Sequence, residues 1–252
     1  VDYLIDTGRS KNVALTLSTN GTIADKDFLD KMVKNFRDIA FSVSIDGVED
    51  KFTYLRHPGK WDEVKANLDY YYELHNSDHP VFVQITHTVT ALNILYLPDF
   101  HEYFKTTFPN FKIWNNSVHY PKWISPPVLP KSAKELITDK LLKYEWLPQY
   151  KEEANALVNF MNSPLYANGE SVVASLKNKF DAEKLKFFDE RSSQQKWTIF
   201  KSQIVGGDIY REENFVKVFP ELYDLIKHEF DYDTEFEAVS TAGFLPVSQG
   251  EY

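Results

Sequence analysis

The chain has 252 residues, 43% of them apolar and 15% aromatic, which is enough for one α/β domain with a real core. A net charge of −9 argues against a general binder of phosphate backbones, which needs clustered Lys and Arg, and no apolar run is long enough for a membrane-spanning helix. The absence of cysteine removes disulfides, thiolate zinc sites and ordinary iron–sulfur ligands from these residues.

The chain opens Val1-Asp2-Tyr3-Leu4-Ile5-Asp6 without Met and inside a helical pattern, so upstream sequence is expected. No signal peptide is legible and a cytoplasmic protein is the expectation. The first helix is predicted over 2–8, stopped near Gly8, and the first strand over 13–18. Asp25 is placed to cap the next helix, whose Phe28, Leu29, Met32, Val33 and Phe36 recur at helical spacing. A strand over 39–44 follows, then a helix over 61–75 that ends at the breaker Asn76-Ser77-Asp78-His79-Pro80. The alternation of 81–89 reads as a long, partly exposed strand, 95–106 as a helix and 111–115 as a fourth strand. Four successive βα units imply right-handed crossovers and a parallel sheet, its first two strands buried.

Beyond the proline-rich loop 120–130 the pattern turns helical, over 131–145, 147–162, 168–178 and 181–204, with Ser132 or Ser163 as a cap. Gly206-Gly207 punctuates, a last helix covers 219–230, and the acidic run Asp231, Asp233, Glu235 and Glu237 reads as a solvated tail. The expected division is a βα part over 1–130, a helical part over 131–230 and a tail over 231–252.

The candidate site residues lie where strands end. Ser18-Thr19-Asn20-Gly21 and Ser44-Ile45-Asp46-Gly47 put hydroxyls, an amide and a carboxylate at the carboxyl ends of adjacent parallel strands, where α/β sheets bind ligands. Asn-Gly and Asp-Gly are also plain turn formers. Arg56 follows by a short loop and could clamp a carboxylate, with Gly59 letting that loop fold over it. Thr88 ends the third strand and Asn116 and His119 follow the fourth, while Asn93 leads the next helix; these are the substrate-side candidates. The seven histidines show no metal-ligand spacing, and no metal site is assigned.

A strand ending Ser-Thr-Asn-Gly, a helix, a strand ending Ser-Ile-Asp-Gly and then Tyr54-Leu55-Arg56-His57-Pro58-Gly59-Lys60-Trp61 resembles the middle of radical S-adenosylmethionine enzymes over residues 2–130. The words around Asp208-x-x-Arg211 and Phe219-Pro220-Glu221-Leu222 resemble the C-terminal region of their twitch-domain-containing type. The resemblance implies a partial (β/α) barrel with four of six βα units present, and a mainly helical C-terminal region. It also implies S-adenosylmethionine as cofactor, held by Ser18, Thr19, Asn20, Ser44, Asp46 and Arg56, and a [4Fe-4S] cluster that this chain cannot bind. Such enzymes cleave the sulfonium reductively to a 5′-deoxyadenosyl radical that attacks the substrate, here expected to be a peptide or other biological polymer. The family's C-x-x-x-C-x-x-C and Gly-Gly-Glu motifs are missing, so the reading is of an N-terminally truncated member. The competing readings are a cysteine-free module binding a nucleoside-like ligand or a protein, and a hydrolytic barrel using Asp46 and Glu49. Truncation would leave Val13–Leu17 as an unpaired sheet edge.

Overall fold

The computed structural model describes residues 1–163 and 191–242. Within them the chain divides into two compact units, one of Val1–Thr88 with Asp99–Asn116 and one of Val89–Pro98 with Ser117–Tyr252.

The first unit is α/β. Helix α1 (Asp2–Asp6) and a short 3₁₀ turn (Arg9–Asn12) precede β1 (Ala14–Thr19), α2 (Lys26–Asn35), β2 (Asp38–Ser44), α3 (Glu49–Leu55), α4 (Trp61–His75), β3 (Val81–Val89), α5 (Leu97–Thr107) and β4 (Lys112–Ser117). The four strands form one sheet in sequential order, with β1–β2 and β2–β3 parallel. Asp25 caps α2 as its position predicts, its Oδ1 accepting from Phe28 N at 3.1 Å. Helix α3 falls where no helix is predicted.

One face of the sheet carries the core. Ile39, Phe41, Val43, Val83 and Ile85 are buried there, and Phe41 packs on Tyr71 of α4 at 5.0 Å between ring centroids. Tyr72 of α4 meets Phe108 edge-on at 5.4 Å, joining that helix to the end of α5. Strand β1 departs from expectation, because none of its residues is buried. Its place in the sheet explains this: among the described residues it pairs on one side only, with β2, and an edge strand is flanked by half as many neighbours.

The second unit is helical in its described part. Helices α6 (Lys131–Lys143) and α7 (Pro148–Met161) match the periodicity, but the residue preceding α6 at its cap is Pro130 rather than Ser132. The helix expected over 168–178 lies outside the described residues, as does the start of the one expected over 181–204. From Ser193 the latter runs to Arg211 as α8, straight through Gly206-Gly207. Two mid-helix glycines cost about 1 kcal/mol each relative to alanine, and the burial of Trp197, Phe200, Ile204 and Val205 on the same helix outweighs that. The helix predicted over 219–230 is the shorter α10 (Pro220–Ile226), and an unpredicted turn of helix, α9 (Phe215–Val218), precedes it.

The supposed tail is instead the start of α11 (Tyr232–Ala242). Asp231, Asp233 and Glu237 are solvated as expected, but Tyr232 between them is 3% exposed and donates its hydroxyl to the buried Asp208 Oδ2 at 2.6 Å. The same oxygen accepts from Phe215 N at 2.6 Å, so one carboxylate joins α8, α9 and α11. The acidic periodicity masked an aromatic anchor. No described helix is long and apolar enough to cross a membrane.

Candidate functional site

Alternation along the four strands puts every second side chain of the sheet on the face away from the core. On that face β1 presents Ala14, Thr16 and Ser18, β2 presents Ala40, Ser42 and Ser44, and β3 presents Phe82, Gln84 and Thr86, so the small apolar part lies at the amino ends and the polar part at the carboxyl ends. Asn115 of β4 bonds the buried His87, so its neighbours Trp114 and Asn116 fall on the open side. None of these open-face residues is buried, and Trp114 is 57% exposed. Parallel sheets normally have apolar side chains on both faces, so the hydroxyls and amides toward the carboxyl ends of this face call for a polar occupant. The strand register aligns Ser18 with Ser42 and Ser44 with Thr86, and Ser42 Oγ and Thr86 Oγ1 share a hydrogen bond of 2.6 Å.

The loops at the carboxyl ends complete this rim. After β1, Thr19 Oγ1 accepts from Gly21 N at 3.1 Å, and Asn20 Oδ1 accepts from Thr22 N at 3.1 Å and from Thr22 Oγ1 at 2.7 Å. Both side chains therefore serve the turn, while the amide nitrogen of Asn67 on α4 holds the Gly21 carbonyl at 2.8 Å. Gly21 has φ +76°, and a Cβ there would sit 3.2 Å from Val43 Cγ1 and 3.3 Å from Val64 Cγ1. Strain and crowding act together, so Gly21→Ala is expected to cost about 1–3 kcal/mol of stability. A urea midpoint equal to that of the unsubstituted chain would refute this account of the turn.

After β2, the Asp46 carboxylate closes the next corner. Oδ1 accepts from Thr88 N at 2.7 Å, tying the loop to the end of β3, and Oδ2 pairs with Arg56 Nε at 2.6 Å. The partner of this acid is thus a cation. A Cβ on Gly59 would approach Arg56 O to 2.9 Å, so the loop closes on Arg56 only with glycine there.

Behind the rim lies a buried polar chain that the sequence does not advertise. His87 Nδ1 and Asn115 Oδ1 are 2.9 Å apart, and the Asn115 amide nitrogen lies 3.0 Å from His101 Nε2 on α5. His87 also bonds the main chain of Asp46 and stacks on Phe100 at 4.1 Å. Burial pushes both imidazoles down, His101 to about 4. The one available signal was that His101 sits in the Leu97, Phe100, Phe104, Phe108 stripe of α5, where a polar residue needs a buried partner.

The structure thus brings Ser18, Ser44, Asp46, Arg56, Thr88 and Asn116 to the strand ends of one unit. Asn93 and His119 belong to the other. Asn93 is buried, its Oδ1 accepting from Thr90 N at 2.6 Å, and His119 packs against Phe160 at 4.5 Å. Among the described residues no group of three or more His, Cys, Asp or Glu side chains is disposed to hold a metal ion.

No family model matches the sequence, and no curated protein matches it. A solved structure, native anSMEcpe with bound AdoMet and Cp18Cys peptide, is similar at 18% identity and a TM-score of 0.39, over 56% of this chain. The chain spans 40% of the length of that protein, and likeness at this level does not carry a family assignment.

Proposed function

We propose that this chain is the C-terminal portion of a radical S-adenosylmethionine enzyme acting on a peptide or other biological polymer in the cytoplasm. The observation that carries the reading is the open polar face of the parallel sheet, with the nominated side chains gathered at its carboxyl ends. S-adenosylmethionine fits that donor set. Ser18 and Ser44 offer hydroxyls, Asp46 is held in place by Arg56 and Thr88 to accept from a ribose, and Asn20 keeps its amide nitrogen for the methionyl end. When bound, the cofactor supplies the reactive sulfonium; the chain's own residues orient it and keep a pre-built polar wall against it. Thr88 and Asn116 are proposed to meet substrate at the same ends.

An iron–sulfur cluster does not fit these residues, because there is no thiolate to hold it. Its ligands have to come from outside the 252 residues, in keeping with a truncated member of the family. The twitch-like assignment of the C-terminal helices rests on the short words around Asp208 and Pro220.

The test is made on the complete natural polypeptide that contains this sequence. Three cysteines spaced C-x-x-x-C-x-x-C, binding of S-adenosylmethionine by calorimetry and about tenfold weaker binding in Ser44→Val are the expected results. A polypeptide without such cysteines, or affinity unmoved by Ser44→Val, defeats the proposal. The lack of cysteine favours a second reading, a module that binds a nucleoside-like ligand without redox chemistry; adenosine binding by a cysteine-free natural polypeptide would establish it.

A further inference from the structure

The helical unit contains a cavity of about 200 Å³ where the first turn of α6, the first turn of α8 and the segment before α6 meet. Its walls differ in chemistry. Pro127, Val128, Leu129 and Trp197 contribute apolar lining, while Lys134, Ser193 and Gln194 supply donors. Lys134 is half-buried, and its ammonium makes no hydrogen bond or ion pair with any described residue. Burial alone lowers its affinity for a proton, with no carboxylate opposing that effect.

Among the described residues no carboxylate pairs with it. Neither α6 nor α8 has an acidic residue in its first turn. Glu229 on the rim is exposed and makes no ion pair with Lys134; its main-chain carbonyl accepts from Trp197 Nε1 at 3.3 Å. Lys131, also on the rim, adds positive charge and lies 3.8 Å from Glu135. An ammonium drawn from water beside apolar walls is costly unless a counter-charge joins it.

We propose that this pocket binds a small organic carboxylate, with its apolar body against Pro127, Val128, Leu129 and Trp197 and its carboxylate on Lys134, assisted by Ser193 and Gln194. The volume, about that of seven liquid waters, suits a small molecule. The apolar wall selects an organic anion over a fully hydrated inorganic one, since phosphate would leave that wall unfilled.

The proposal uses only residues of the helical unit and stands apart from the reading of the sheet. The test is a titration of the full chain with benzoate, followed by calorimetry and by the Trp197 indole N–H resonance, with acetate and inorganic phosphate as comparison probes. Saturable benzoate binding that shifts this resonance is expected, with at least tenfold loss in Lys134→Met and a thermal midpoint that is unchanged or raised. Lys134→Gln serves as a second variant should the first fail to fold. No saturation at concentrations on the order of 10 mM overturns the proposal. So does unchanged affinity in both variants, or phosphate binding as tightly as benzoate.

Discussion

Asp46→Ala is expected to lower the thermal midpoint by roughly 6–12 °C, from a loss of about 3 kcal/mol. The substitution removes two contacts at once and leaves Arg56 without its ion pair, although the side chains are only 14% and 28% exposed. A pair this far from water is worth more than a surface salt bridge, and breaking it from one side is the costly direction. Asp46→Asn keeps an acceptor for Thr88 N while giving up the charge, so its loss should be about half as large. Calorimetric melts of the two variants decide the matter. Midpoints equal to that of the unsubstituted chain would mean that the corner is held by the β2–β3 ladder alone, and that Asp46 is free for a ligand at no structural cost.

Acid should unfold the chain earlier than its carboxylates alone would cause. His101 has its proton affinity pushed down to about 4 by burial, against an ordinary value near 6.5. Between those values the unfolded chain binds more protons than the folded one, so stability rises with pH through this window. The contribution is fully present above about pH 6.5, has fallen by about 2 kcal/mol at pH 5, and is lost by about 3 kcal/mol near pH 4. His87 acts in the same sense, its burial outweighing the opposing influence of Asn115 and Asp46, with Arg56 adding to the downward shift. His101→Gln keeps an amide for Asn115 without titrating near neutrality. Its urea midpoint should change less between pH 7 and pH 5 than that of the unsubstituted chain. Parallel changes in both would mean that the imidazole is not the titrating group.

The same residues show how far sequence reaches. Local patterns determined the βα order, the Asp25 cap and the alternation of β3, because each depends on neighbours within a few positions. They also determined that small polar residues end β1 and β2, and that a chain without cysteine cannot hold an iron–sulfur cluster. Tertiary structure alone decided what those residues meet. Asp46 finds Arg56 through a loop, Thr88 through strand pairing and His87 across the same sheet, and no spacing rule predicts which of these claims the carboxylate. Gly206-Gly207 and the acidic run after Asp231 read locally as a break and a tail. Packing reversed both, because the burial of Trp197, Phe200 and Tyr232 outweighs propensities of about 1 kcal/mol per residue. The exposure of β1 and the Lys134 ammonium that no described carboxylate pairs belong to the same class. Each is a property of what lies opposite a residue in space, which the linear order of the chain does not contain.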